Sequence, residues 1–259
     1  MAPYLAAFAP AEEGQPHPAP WKAVSGGMGF DIQAELYIPQ EFTLPNWFDR
    51  LNTIWWFAAL IRLKASSLVS VPVLANKSFS EIPSAKDEPY FWPIEMKPSR
   101  LVPVEKPSSI IAVSDLHWIH EHWILGGELM NKHSDFNVAF QAIDECIWSH
   151  STSLALVSLW GALERLFSPS HYELSFRVSA TIASYLEPPG NARLDFYRRV
   201  KRLYDARSKA AHGSPIEENK SLFDTYALLK RALIKMIENK HVPTREELET
   251  VLFGGRLQT

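Results

Sequence analysis

The sequence predicts an α+β protein: a mixed α/β or β-rich N-terminal region, followed by an all-α helical bundle. Three observations carry this expectation. Prolines are frequent between Trp21 and Val104, where short apolar runs alternate with turn-like clusters. From Ser134 onward, apolar residues recur at helical spacing in one segment after another. The links between those segments are short, as in an up-and-down bundle.

In the N-terminal part, Asp31 to Ile38 alternates as a strand would, with Ile32, Ala34, Leu36 and Ile38 on one face. Asn46 is placed to cap a helix from Trp47 to about Lys64, apolar on most sides and therefore expected to be buried. Ser67 to Leu74 reads as a strand that Pro72 confines to an edge or a bulge, and Tyr90 to Met96 as a third. Residues 1–20 are rich in Ala and Pro and read as a disordered lead-in. Residues 21–104 then form the N-terminal region, 105–133 a connector with a helix over about Ser114 to Leu129, and 134–259 the bundle.

Within the bundle, Ser134 can cap a helix bearing Phe136, Phe140, Ile143 and Ile147 on one face. A second, about Ser153 to Phe167, carries Leu156, Leu159, Trp160, Leu163 and Phe167. A third, about Glu173 to Leu186, stops at Pro188, Pro189 and Gly190. The fourth runs from Ala192 to about His212 and ends at Gly213 and Pro215. A fifth, Leu222 to Glu238, is followed by Thr244 and Glu247, the capping box of a short last helix.

Bulk properties narrow the function classes. Hydrophobic residues make up 46% and charged residues 21%, an ordinary globular mix. The formal net charge of -3 means that any nucleic-acid surface must be local. A single cysteine, Cys146, rules out an internal disulfide and suits a reducing compartment, so a cytoplasmic protein is expected. The most apolar run, Ile54 to Leu63, falls short of the roughly 20 residues of a membrane span and contains Arg62, so no membrane association is expected.

Chemistry concentrates on the fourth helix. Arg193, Arg198, Arg199, Lys201, Arg202, Arg207 and Lys209 face only Asp195 and Asp205 there. Most lie on the solvent side of Phe196, Val200, Leu203 and Ala210, which fits either a solvated face or a surface that tracks a phosphate backbone. On that second view Arg198, Arg199, Lys201, Arg202 and Lys209 would bind RNA. Arg207 is different. At about 100° per residue it falls in the apolar stripe, one turn after Leu203. A guanidinium there needs a carboxylate, a phosphate or a subunit interface to meet. Glu164, beside Trp160 on the second helix, is the candidate carboxylate. His212 lies about 140° round from Arg207, while Ser208 and Asp205 share its face and could hold the imidazole. A histidine in a last turn also complements the helix dipole.

Two further groups could carry chemistry. Asp115, His117, His120, Glu121 and His122 could bind a metal, but their spacing does not build onto one helical face. His117 with Glu121 is more simply a surface hydrogen bond, and no metal or cofactor is expected. The nine tryptophans, Trp55, Trp56 and Trp92 among them, could stack on bases or pack in the core; most sit in apolar runs.

The segment RSKAAHG (Arg207 to Gly213) resembles the R-x4-H motif of HEPN domains. With WGALERLF (Trp160 to Phe167) and ELSFRVSATIASYL (Glu173 to Leu186) before it, the C-terminal half is similar to the ApeA-like HEPN branch. The resemblance implies a helical bundle that commonly dimerises, bringing two such motifs into one cleft. It implies a metal-independent ribonuclease in phage-defence or toxin–antitoxin systems, with RNA as substrate and an antitoxin or regulatory partner. Other members only bind RNA, nucleotides or proteins. By motif position Arg207 and His212 would be the catalytic pair, with Ser208 as the neighbouring polar residue. The N-terminal half lies outside the resemblance.

Overall fold

The computed structural model describes residues 21–25, 28–32, 34–78, 81, 86–87, 90–95, 104–105, 110–168, 174–211 and 218–255. The lead-in expected over 1–20 lies outside these residues, as does His212. The chain divides into two compact units: 1–58 with 69–98, and 59–68 with 99–259.

In the first unit, β1 (Trp21–Ser25) pairs antiparallel with β2 (Met28–Ile32), and β3 (Val73–Ala75) with β4 (Phe91–Pro93). These two-stranded ladders are the described β structure. The expected α+β class is therefore overturned, because the described residues are mostly helical, with eight helices and no β-rich or mixed layer. The strand expected over Asp31 to Ile38 shares only its first two residues with β2. Beyond it the chain is non-regular, and Leu36 and Tyr37 are exposed. Alternation makes a strand only where a layer covers one face. The edge strand expected over Ser67 to Leu74 shrinks to β3, since Ser67 and Leu68 form a turn.

Helix α1 (Arg50–Lys64) starts later than Asn46 suggests. Asp49 is the residue that caps it, its Oδ1 accepting from the Asn52 amide at 2.7 Å. Arg50 then donates to the carbonyls of Ile38, Pro39 and Gln40, pinning the incoming strand-like segment.

The second unit holds the C-terminal end of α1, from Ala59, and seven further helices. They are α2 (Val113–Lys132), α3 (Ser134–Glu145), α4 (Thr152–Phe167), α5 (Leu174–Leu186), α6 (Asn191–Ala211), α7 (Glu218–Glu238) and α8 (Arg245–Leu252). Ser134 does not cap α3. Only His133 separates α2 from α3, so Ser134 is already helical. Helix α4 lies at the centre, packed on α3, α5, α6 and α7. Its stripe of Leu156, Leu159, Trp160, Leu163 and Phe167 is fully buried, so the periodicity read from the sequence is the core itself.

Pro188 and Pro189 stop α5, and Gly190 supplies the positive φ of 136° that turns the chain into α6. The last two carbonyls of α5 and the one after it accept from three cations: Tyr185 from Lys235, Leu186 from Arg231 and Glu187 from Arg193. Cations at this end also complement the helix dipole.

The capping box of α8 forms as its sequence requires. Thr244 Oγ1 accepts from the Glu247 amide at 3.3 Å, and Glu247 Oε2 accepts from the Thr244 amide at 2.7 Å. Burial alone would raise the Glu247 carboxyl, but the Thr244 amide and the neighbouring His241 outweigh it, and the carboxyl sits below its ordinary range. A depressed carboxylate stabilises the fold above the unfolded pKa, and that stability is lost as pH falls through the folded value. Thr244→Ala should therefore cost about 1 kcal/mol near neutral pH. Glu247→Gln should flatten the acid limb of a stability-against-pH curve measured by urea unfolding between pH 3 and 7.

Candidate functional site

The candidate site lies where the last turns of α6 face α4. Val200, Leu203 and Tyr204 anchor this face of α6 in the core, and the helical period turns Arg207 the same way. There its guanidinium meets Glu164 of α4, Nη2 lying 3.3 Å from Oε1, with the two side chains only 25% and 19% exposed. Of the three partners left open by the sequence, a carboxylate is the one in place.

Arg207 is also held from its own helix. Its Cζ lies 5.6 Å from the Tyr204 ring centre, within cation–π range. Tyr204 in turn meets Trp160 edge to face at 5.1 Å. Burial, then the Glu164 carboxylate, raises the Tyr204 hydroxyl above the ordinary phenol range, while Arg207 pulls the other way. The site thus contains two residues that the sequence analysis did not assign to it, Trp160 and Tyr204. Tyr204 was legible in principle, three residues before Arg207 and so on the same helical face.

Three buried polar atoms around this cluster have no hydrogen-bond partner among the described residues: Arg207 Nε, Glu164 Oε1 and Trp160 Nε1. The Arg207–Glu164 contact is therefore an ion pair without good hydrogen-bond geometry. Leaving such atoms unmatched costs free energy. A quarter of the Arg207 side chain nevertheless remains exposed.

Among the described residues, the other expected site residues are not brought together. Ser208 Oγ turns back to the Tyr204 carbonyl at 3.4 Å, and Asp205 pairs with Lys201 at 3.2 Å on the exposed face. Of the five basic residues expected to meet RNA, Arg198 pairs with Asp195 and Arg199 with Asp224 of α7, at 3.0 and 2.6 Å. Lys201 is committed to Asp205 as above. Arg202 and Lys209 are exposed and have no ion pair among the described residues. The basic face is thus partly neutralised, but by exposed pairs that stabilise little and exchange readily.

Among the described residues no three histidine, cysteine or carboxylate side chains converge on a common point. His122 instead bonds to the Trp118 carbonyl at 2.7 Å and stacks on the Trp118 ring at 4.6 Å. Of the tryptophans considered for base stacking, Trp56 is buried and Trp92 exposed.

A buried charge elsewhere was not foreseen. Arg62, read from the sequence only as an interruption in an apolar run, is 2% exposed and bonds both oxygens of Asp144 at 3.1 Å. The recess around this pair, lined by Ala59, Phe140 and Tyr226, has no room for a water molecule. This pair is part of the core and not a ligand site.

A scan against protein-family models and searches of curated proteins and of solved structures return no match to this chain. No helix among the described residues is long and apolar enough to cross a membrane.

Proposed function

We infer that the helical unit is a HEPN-like module that cleaves RNA without a metal, with Arg207 and His212 as its working pair. The observation that carries the reading is the setting of Arg207. It is drawn into the core side of α6, oriented by Glu164 and Tyr204, and still has a quarter of its side chain exposed. A guanidinium held in this way is preorganised to stabilise charge on a phosphate. His212 enters by its place in the R-x4-H motif.

The chemistry needs little more. The RNA 2′-hydroxyl attacks the adjacent phosphorus and gives its proton to a base; the phosphorus–O5′ bond breaks and the leaving oxygen takes a proton from an acid. Histidine, with an ordinary pKa near ~6.5, serves either step at neutral pH. Two copies of the motif across a homodimer would supply both. The products are a 2′,3′-cyclic phosphate and a 5′-hydroxyl, and DNA is spared. Such an activity belongs in the cytoplasm, as the effector of a defence or toxin–antitoxin system under a regulatory partner.

A second reading has its own support. The Arg207–Glu164 pair joins α4 to α6, as a bundle that only binds RNA, a nucleotide or a partner protein would also use it. The decisive assay incubates the full chain in EDTA with end-labelled RNA and with the same RNA carrying 2′-deoxy sugars. Cutting of the first alone, leaving cyclic phosphate ends, supports the nuclease. Binding of both without cutting, on addition of cell extract as well as without it, favours the binding module.

A further inference from the structure

The Arg207–Glu164 contact differs in kind from other arginine pairs of the fold. Arg62 with Asp144, Arg165 with Asp135, Arg198 with Asp195, Arg199 with Asp224 and Arg231 with Glu187 lie at 2.6 to 3.1 Å. Each of these carries a hydrogen bond. Arg207 Nη2 stands 3.3 Å from Glu164 Oε1, and that oxygen accepts no hydrogen bond among the described residues. An ion pair largely out of water repays the desolvation of its charges only when its hydrogen bonds are made. This one is held by charge alone.

A phosphate is the better acceptor for such a guanidinium. Two of its oxygens match the planar fork, in short charge-assisted hydrogen bonds that Glu164 does not make. The guanidinium keeps a seat during the exchange, because the Tyr204 ring that lies 5.6 Å from its Cζ belongs to its own helix. Both side chains reach solvent, Arg207 at 25% and Glu164 at 19%, so the exchange is open to water.

We propose that Glu164 is an internal competitor at this site: its carboxylate occupies Arg207 in the unbound protein and yields it to an RNA phosphodiester. Glu164 then sets a threshold, since only an acceptor strong enough to displace it engages Arg207. With RNA as that acceptor, the competition rests on the ribonuclease reading and adds a restraint to the same site.

Binding of the full chain to a fluorescent 2′-O-methyl RNA, which resists cleavage, tests the competition at fixed salt. Glu164→Gln keeps the shape of the side chain and removes its charge, and should tighten binding about tenfold. In an Arg207→Gln background the same substitution should change nothing, because the group competed for is gone. Affinity of the folded Glu164→Gln protein at or below wild type overturns the proposal and leaves Glu164 a structural partner of Arg207. Equal tightening in both backgrounds also overturns it, as a general effect of charge, and so does failure of all four proteins to bind RNA. Urea unfolding checks the fold. If the Gln protein is unfolded, Glu164→Asp, which draws the carboxylate back by one methylene, carries the same expectation of tighter binding. Tightening that depends on Arg207, with no cleavage of unmodified RNA by any of the proteins, would uphold the competitor and sink the nuclease reading. Cleavage by the wild type with no tightening in Glu164→Gln would do the reverse.

Discussion

His212→Ala should lower the rate of RNA cleavage by roughly 10²- to 10⁴-fold at pH 7, the usual contribution of a positioned acid or base. RNA affinity should change little, because the imidazole is assigned to proton transfer and the binding to the arginines and lysines of α6. Arg207→Ala should cost a comparable factor, since it removes the group that stabilises charge on the phosphorus. The two variants differ in stability. Arg207→Ala leaves Glu164, only 19% exposed, without its cation, so it should also unfold at lower urea. Arg207→Lys separates the roles: a lysine can keep an ion pair with Glu164 but lacks the planar fork. A stable, inactive Arg207→Lys protein supports the nuclease. An inactive wild type, with all three variants binding RNA equally, would end that reading.

The second large effect concerns folding alone. Asp144→Ala should destabilise the helical unit by about 3 kcal/mol, because it removes the carboxylate from an arginine that is 2% exposed. Arg62 also lies 5.7 Å from the Trp148 ring, a contact too weak to replace the lost charge. Replacing both partners together, as Arg62→Met with Asp144→Leu, should recover most of the loss, since the arginine is then no longer buried beside a missing carboxylate. Urea unfolding of the single and double variants measures this directly. An Asp144→Ala protein as stable as wild type would mean that the Asp144 carboxylate contributes nothing to holding Arg62 in the core.

Much of the helical unit is legible in the sequence because its signals are local. The stripe of α4, the proline stop after α5 and the Thr244–Glu247 box of α8 are each set by residues within a few turns of one another. The same arithmetic placed Arg207 inward and required that it meet a partner. Local pattern failed in the N-terminal region. There alternation and prolines suggested strands, yet among the described residues pairing is limited to two short ladders, because a strand depends on a neighbour that its own sequence does not name.

By itself, then, the sequence determined which segments form the bundle helices, which face of each is apolar, and that Arg207 is a charge out of place. The tertiary structure decided what answers that charge: Glu164 on α4, with Tyr204 and Trp160 behind it. It also joined Arg62 to Asp144 across 82 residues, and spread the acids of α6 and α7 over part of the basic face. Helical period is a property of neighbours along the chain, whereas the partner of a buried charge is chosen by which helices pack together.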